Sequence, residues 1–224
     1  MDDLLKSVRI NINENLFLKD PESSNLGQRI IEEGILMIDE LGFDRFTFKK
    51  LGARIGSNES SIYRYFENKH KMLLYLTSWY WGWLEYNLVF STNNMGDPKE
   101  KLGKAIEIVT KATVEDSSFS HINEVLLNKI VINEFSKSYL TQEVDLENKN
   151  GYFVIYKRLV NRISEMIKDV DSSYEYPASL ASTILEGSMH QHFLKDHFPS
   201  MTDCHEHSDP TKYFLQLIFT VLKS

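Results

Sequence analysis

Two short periodic segments separated by a glycine constrain the fold of this 224-residue chain more than any other feature. Between residues 47 and 69 the apolar side chains recur at intervals of three and four, which is the spacing of amphipathic helices. Gly56 falls between the two segments and predicts the turn that joins them. The segment therefore predicts a helix-turn-helix unit held together by a small core. That core comprises Leu51, Ile55, Ile62 and Phe66.

Capping residues predict where these helices begin and end. Thr47 is the expected N-cap of the first helix, and Gly56 ends it. The second helix follows Asn58 and runs to about residue 66. Asn68 then caps a long helix that continues to about residue 90.

The remainder of the chain shows the same spacing, with Pro and Gly mainly between the periodic runs. This pattern predicts an all-α protein of about nine helices. A helix before this pair is predicted to begin after its N-cap Ser24 and to end at Gly42, with an apolar stripe of Ile30, Ile31, Ile35, Ile38 and Leu41. The other predicted helices begin at Pro98, Pro177 and about Pro210, and they occupy parts of residues 120–139 and 152–170.

The segment before Ser24 does not follow the helical spacing. Ile10 and Ile12 alternate with polar residues, which favours an extended arm. Lys6 and Arg9 leave two interpretations open: the arm lies along DNA, or it straps over the protein's own surface.

Charge is distributed unevenly along the chain. The net charge is −7, from 25 basic and 32 acidic residues, which excludes a generic nucleic-acid coat and an adhesive for anionic membranes. Residues 45–71, however, contain seven basic and two acidic residues, a local charge of +5. Such an island suits a localised phosphate-binding surface, and it is also compatible with a solvated charged face.

Polar side chains on the predicted outer surface of the helix pair suit contacts with base edges and phosphates. Glu59 has two interpretations, a favourable interaction with its own helix or acceptance of a hydrogen bond from a cytosine amino group. Three successive basic residues, Lys69, His70 and Lys71, begin the long helix, where the macrodipole disfavours each positive charge by about 0.3–1 kcal/mol. A phosphate bound there would reverse that sign. The outward residues are Ser57, Asn58, Glu59, Ser60, Ser61, Tyr63, Arg64 and Tyr65.

The segment resembles the DNA-binding domain of the tetracycline-repressor (TetR/AcrR) family of bacterial regulators. The resemblance covers about the first third of the chain and lies in residues 47–52, the Ser-Ile-Tyr-Arg-Tyr-Phe run at 61–66 and Asn68-Lys69. It implies a sequence-specific transcriptional regulator, a repressor, that binds double-stranded DNA. Glu59 and Ser60 depart from the family, in which a basic residue and a glycine are frequent at these positions. The predicted DNA contacts are Thr47, Lys49, Ser57, Asn58, Ser60, Ser61, Tyr63, Arg64, Tyr65 and Lys69, with Thr47, Tyr63 and Lys69 on phosphates.

The long helix after Asn68 is rich in aromatic residues on more than one side. These residues form either a structural core or an aromatic-lined ligand cavity. The resemblance favours the cavity, because it implies a small-molecule effector bound in the C-terminal domain. The predicted ligand contacts are Trp79, Trp83 and Tyr86, and no cofactor is expected.

The last helix has eight apolar residues among the ten from Tyr213 to Leu222. A helix that is apolar nearly all round needs burial on two faces, which favours a partner subunit. The resemblance implies a homodimer through the last two helices, here about 177–198 and 210–223, and a palindromic operator. We therefore expect an arm at 1–23, a DNA-binding domain at 24–71 and a ligand-binding and dimerisation domain at 72–224.

Three further features bear on alternative functions. The run from Cys204 to His207 suggests a metal-responsive sensor as an alternative, but its spacing matches no closed zinc pattern and no metal is predicted.

No nucleophile paired with a base and no glycine-rich phosphate loop appears, so an enzyme is not expected. A small-molecule binding protein or enzyme of the helical domain is a second alternative. The single cysteine, with no export signal or apolar span, predicts a cytoplasmic protein with no membrane partner.

Overall fold

The computed structural model describes residues 10–114, 121–205 and 210–222, and its regular structure in these ranges is helical. The all-α prediction is confirmed. Eleven α-helices occupy the described ranges, close to the predicted nine. They are α1 Asn25–Leu41, α2 Phe48–Arg54, α3 Glu59–Tyr63, α4 Lys69–Thr92, α5 Pro98–Thr110, α6 Glu124–Asn133, α7 Phe135–Tyr139, α8 Val144–Lys149, α9 Val154–Val170, α10 Pro177–His197 and α11 Thr211–Val221.

The chain forms two compact units. The first contains the residues up to Gly82 together with Thr113–Val154, and the second contains Trp83–Ala112 together with the residues from Ile155 onward. Helix α4 contributes to both, because the boundary falls between Gly82 and Trp83.

Helix α1 begins and ends at the residues that the sequence predicts. The side chain of Ser24 accepts a hydrogen bond from the backbone N–H of Gly27 at 3.2 Å, which satisfies one of the free donors of the first turn. Gly42 follows the helix with φ at +76°, in the region that favours glycine. The helix buries its predicted stripe in the first unit. The fully buried members are Ile30, Ile31, Ile35 and Ile38.

Two glycines hold α2 and α3 close together. Gly56 adopts φ +63° in the turn. A Cβ atom on Gly52 would lie 3.0 Å from the carbonyl oxygen of Ser57 and 3.2 Å from the backbone nitrogen of Glu59, so a larger residue would push these backbone atoms away. The predicted small core is confirmed, since Leu51, Ile55, Ile62 and Phe66 are all buried.

Helix α4 is covered on every side over much of its length. Every residue from Met72 to Glu85 is buried. The aromatic residues on more than one side of this helix are therefore enclosed by other parts of the protein.

Residues 121–154 pack in the first unit with helices that precede them by about a hundred positions. Glu134 accepts a hydrogen bond from the backbone N–H of Phe43 at 3.2 Å, and Lys129 lies 2.7 Å from the carboxylate of Asp39. This region also contains α8, which the sequence did not predict.

Residues 10–24 lie along the first unit in the manner of a strap. They form two 3-10 turns, Glu14–Leu16 and Pro21–Ser23, whose N-caps are Asn13 and Asp20. Leu16 is buried, and the side chain of Asn13 donates to the carbonyl oxygen of Asn150 at 3.1 Å. Lys6 and Arg9, on which the alternative of an arm along DNA rests, lie outside the described residues.

The second unit contains a buried carboxylate between two arginines. Glu85, 7% exposed, accepts from Arg158 at 2.5–2.8 Å and from Arg162 at 2.6 Å. Burial alone raises the pKa of Glu85, but the hydrogen bonds and charges of the two guanidinium groups outweigh it and lower the pKa. None of the helices in the described ranges is long and apolar enough to cross a membrane.

Candidate nucleic-acid interface

The first turn of α3 presents polar side chains grouped around Asn58. Its Oδ1 atom accepts hydrogen bonds from the backbone N–H of Ser61 at 2.9 Å and from the hydroxyls of Ser60 and Ser61 at 2.8 and 2.6 Å. The bond to the backbone caps α3 and explains why the helix begins at Glu59. Asn58 and Ser60 are exposed, and Ser61 is half-buried. The structure thus brings these three predicted contacts together on one surface.

Ser57 lies beside this group at the end of the turn. Its backbone N–H donates to the carbonyl oxygen of Gly52 at 2.8 Å, which ties the turn to α2. Its side chain is half-buried.

Tyr63 and Thr47 offer two further hydroxyl groups. The ring of Tyr63 packs edge-on against Phe48, with centroids 5.1 Å apart, and Tyr63 remains 46% exposed. Because Phe48 is buried, this contact orients the tyrosine ring. Thr47 accepts from the backbone N–H of Lys50 at 3.3 Å, a bond that does not use its hydroxyl proton. Both hydroxyls suit a phosphate oxygen, which accepts hydrogen bonds but does not donate them.

The cations of the basic segment are not equivalent in the structure. The side chains of Lys49 and Arg64 are exposed and form no hydrogen bond or ion pair with other residues that the structure describes. Arg54 instead donates to Glu33 at 2.6 Å and to Glu40 at 2.5 and 3.0 Å. These hydrogen bonds lower the pKa of the Glu40 carboxyl and raise that of Arg54. The charge that DNA can use is therefore smaller than the local +5.

Lys69, a predicted phosphate contact, is directed into its own unit. Its Nζ atom donates to the carbonyl oxygens of Phe43, Asp44 and Phe46 at 2.9, 3.1 and 3.3 Å. It also lies 4.7 Å from the ring centroid of Phe43. The ammonium group thus has three acceptors within the protein, and its contact with phosphate stays a prediction.

The two cations after Lys69 also have partners in the first unit. His70 Nε2 lies 2.6 Å from Glu147 Oε1, and Lys71 donates to the carbonyl oxygen of Asn15 at 3.0 Å and to the hydroxyl of Tyr152. A bound phosphate is therefore not required to explain the three basic residues at the start of α4, and phosphate binding there stays a prediction. Oxygen atoms that are remote in sequence supply the compensation.

Tyr65 is the one predicted DNA contact that is buried. It is 3% exposed, and its hydroxyl lies 2.8 Å from the hydroxyl of Ser24 and 3.3 Å from the ammonium of Lys19. Burial raises the pKa of the phenol, but these hydrogen bonds and the nearby positive charge outweigh it and lower the pKa. In this position Tyr65 connects α3 to the start of α1.

The predicted ligand residues lie along α4. Trp79, in the first unit, and Trp83, in the second, are buried, and Tyr86 is half-buried with its ring 6.0 Å from that of Phe90. A cavity of about 280 Å³ lies in the first unit and includes Tyr75 in its wall, but none of the three predicted residues lines it. Its lining residues are Ile10, Asn11, Ile12, Glu14, Phe17, Asp20, Glu22 and Tyr75.

Helix α11 buries one face in the second unit and leaves apolar side chains on another. Phe214, Ile218 and Leu222 are buried. Tyr213 is 53% exposed and Val221 is 38% exposed. The exposed apolar face is of the kind that subunit contacts cover.

The predicted alternative of a metal-responsive cluster is only partly within the described residues. Cys204 is buried, with its Sγ 4.0 Å from Gln191 Oε1, and His205 is exposed. Glu206 and His207 lie outside the described ranges. Among the residues that are described, no group of three or more His, Cys, Asp or Glu side chains is arranged to hold a metal ion.

Glu134 is a residue of the first unit whose role could not be predicted from the sequence. Besides accepting from Phe43, its carboxylate lies 2.8 Å from Lys137, which in turn lies 3.0 Å from Asp44. A lone acid within an apolar stretch is the only signal in the sequence, and it does not identify partners some ninety positions away.

Comparison with known proteins agrees with this geometry. The family described as bacterial regulatory proteins, tetR family, matches residues 30–76, from the middle of α1 into α4. No curated protein is significantly similar to the sequence.

Three solved structures share the fold at low sequence identity. AibR, solved with isovaleryl coenzyme A and operator DNA, is 12% identical with a TM-score of 0.56, and the match covers 87% of this chain and 98% of AibR. PfmR, a TetR family transcriptional regulator from Thermus thermophilus, is 14% identical with a TM-score of 0.56, covering 88% and 98%. The superantigen PfiT is 14% identical with a TM-score of 0.60, covering 92% and 100%. At these identities the likeness shows the fold alone.

The α2–α3 pair, with its polar outer surface and its family match, defines a helix-turn-helix DNA-binding protein. The chain has the all-helical fold of TetR-family transcriptional regulators, and its residues 30–76 match the tetR family of bacterial regulatory proteins.

Proposed function

We propose that this chain is a ligand-responsive transcriptional repressor that binds a palindromic operator as a homodimer and places α3 in the major groove. The observation that carries the proposal is the exposed polar surface of α3 on a helix-turn-helix of the tetR family. The helix is held at a fixed angle by a buried core, so its outer side chains can meet base edges in one register.

The predicted DNA contacts divide by chemistry. Thr47, Lys49, Tyr63 and Arg64 have donors that the protein does not use, and they suit phosphates. The group around Asn58 is placed to meet base edges. The polar atoms of Tyr65 and Lys69 are used inside the protein, and these two residues act on the interface by fixing α1, α3 and α4.

The surface of the last helix supports a homodimer through α10 and α11. The exposed Tyr213 and Val221 extend its apolar surface beyond the face that its own unit covers. Twofold symmetry then requires a palindromic operator, with recognition helices about 34–36 Å apart on successive major grooves.

The effector is a small molecule bound in the domain at residues 72–224, with Trp79, Trp83 and Tyr86 as its contacts. The aromatic content of α4 supports this, and so does AibR, a protein of the same fold solved with isovaleryl coenzyme A. In functional terms the chain divides into an arm at 1–23, a DNA-binding domain at 24–71 and this effector domain. A regulator of bacterial DNA acts in the cytoplasm.

The test is selection of a preferred site by the full-length protein from random double-stranded DNA. We expect a twofold-symmetric site. Binding should weaken in Tyr63→Phe, which removes only the hydroxyl, and not in Lys99→Ala, a control that removes an exposed lysine at the start of α5. Failure to enrich any site overturns the proposed function, and an asymmetric site overturns the dimer.

A further inference from the structure

The direction of the hydrogen bonds around Asn58 decides what α3 can offer to DNA. The backbone N–H of Ser61 can only donate, so the atom of the Asn58 carboxamide that faces it at 2.9 Å must be the oxygen. That oxygen has no proton. The hydroxyls of Ser60 and Ser61, at 2.8 and 2.6 Å from it, must therefore donate their protons to it.

Each serine hydroxyl has only one proton. Once that proton is used inside the protein, Ser60 and Ser61 present oxygen lone pairs to the outside and can only accept. Glu59, between them and Asn58, has a carboxylate that also only accepts, and it forms no hydrogen bond or ion pair with other described residues. Three consecutive side chains of the first turn are thus acceptors.

Acceptors of this kind cannot bind phosphate oxygens, which also accept. In the major groove the base-edge donors are the N4 amino group of cytosine and the N6 amino group of adenine, whereas guanine and thymine present acceptors and a methyl group. Every base pair has one base with an amino group in the major groove, adenine or cytosine, and one with a keto group, thymine or guanine. The acceptors of residues 59–61 can therefore distinguish which strand carries the amino base.

We propose that residues 59–61 select adenine or cytosine over guanine or thymine on the strand that faces the first turn of α3. The inference rests on the proposed function and adds the class of base that this surface accepts. It predicts operator positions where adenine and cytosine are both tolerated and the keto bases are not. The departure from the family at Glu59 and Ser60 is then a change of base preference.

Atomic substitution in a selected operator tests this directly. At each adenine or cytosine of the half-site, we would replace the base with purine or with 2-pyrimidinone, which lack the amino group, and measure the Kd of the full-length protein by fluorescence anisotropy. We expect a loss of about 5- to 100-fold at one to three positions, because buried acceptors lose their donor. Replacement of the same adenines by 7-deazaadenine, which keeps the amino group and removes N7, should change Kd less than about twofold, since N7 is an acceptor.

Two variants assign the effect to Asn58. Asn58→Ala releases the protons of both serine hydroxyls, so guanine and thymine should become tolerated at the positions that the serines face, where the preference should fall from about tenfold to below about twofold. A base that Glu59 faces should keep its preference, because the carboxylate accepts with or without Asn58. Asn58→Asp retains the acceptor and the cap, and should keep the wild-type preference. Thermal melting of both variants checks that α3 still folds.

The outcomes separate the inference from the function it rests on. If no operator is enriched, the proposed function fails. If an operator is enriched and loss of the amino groups costs less than about twofold at every position, or if Asn58→Ala leaves the base preference unchanged, then DNA binding stands and amino-group recognition by α3 is overturned.

Discussion

Replacement of Lys69 by methionine tests whether this lysine stabilises the fold or binds a DNA phosphate. The ammonium group donates to three carbonyl oxygens at 2.9–3.3 Å, and methionine keeps the apolar stem without these bonds. A hydrogen bond from a charged group contributes about 1.5–3 kcal/mol, but three bonds from one half-buried group are not additive. Removal of a cation from the first turn of a helix also relieves an unfavourable interaction with the helix dipole, which stabilises the fold by about 0.3–1 kcal/mol. We therefore expect Lys69→Met to lower the free energy of unfolding by about 1–3 kcal/mol.

The matched control is Lys49→Met, on the exposed face of α2. Lys49 has no partner among the described residues, so its replacement should change stability by less than about 0.5 kcal/mol. If Lys49 of each subunit binds one phosphate, Lys49→Met removes two phosphate contacts from the dimer. The slope of the logarithm of the DNA association constant against the logarithm of salt concentration should then become shallower by about 1.8, because each neutralised phosphate contributes about 0.9 to the slope. Lys69→Met should leave this slope unchanged.

Urea unfolding at a fixed protein concentration gives the first quantity, and anisotropy titrations over a series of salt concentrations give the second. Together they distinguish the two roles. A shallower salt slope for Lys69→Met with unchanged stability would contradict the structural assignment and restore Lys69 as a phosphate contact.

Three further substitutions test residues that position the interface. Tyr65→Phe should cost about 1 kcal/mol of stability, measured by urea unfolding, without altering the salt slope, because its hydroxyl bonds lie within the protein. Gly52→Ala should lower stability by about 1–3 kcal/mol and weaken DNA binding, since its Cβ would press on backbone atoms, whereas Gly96→Ala meets nothing within 4 Å and should be tolerated in the same assays. Glu85→Gln should cost about 2–4 kcal/mol at pH 7 by urea unfolding. The pKa of Glu85 is lowered from its ordinary value of 4.5, so the ionised carboxylate stabilises the fold above about pH 4.5 and this stabilisation is lost as the pH falls further. The difference in unfolding free energy between wild type and Glu85→Gln should therefore be largest above about pH 4.5 and shrink below it. A difference independent of pH would contradict the assignment.

Local signals in the sequence were enough to predict the helices of the DNA-binding half. Ser24, Thr47 and Asn58 each cap the helix that they were expected to cap, because an N-cap acts on a backbone donor two or three residues away. Gly42 and Gly56 adopt positive φ where a helix was expected to end. Such interactions are short in sequence and depend little on the rest of the fold.

Two features could not be predicted because they depend on contacts remote in sequence. Helix α8 has little apolar periodicity, and its buried residue is Glu147, which pairs with His70. The cations that begin α4 looked unfavourable only because carbonyl oxygens more than twenty residues away were not visible in the sequence. The charge that looks uncompensated in the sequence therefore has acceptors inside the protein.

The same remote contacts bear on the effector response that we propose. Within the first unit, residues 121–154 hold the DNA-binding helices through polar pairs at four separate points. A displacement of this segment by a bound ligand would have to break or strain those pairs, since each partner lies on α1, on the turn after it, at the start of α4 or in the strap before α1. The helix-turn-helix core has no such freedom, because its own contacts are apolar and buried. We therefore expect an effector to shift α3 by movement of the whole domain and not by distortion within it. The four pairs are His121 with Glu22, Lys129 with Asp39, Glu134 with the backbone of Phe43, and Glu147 with His70.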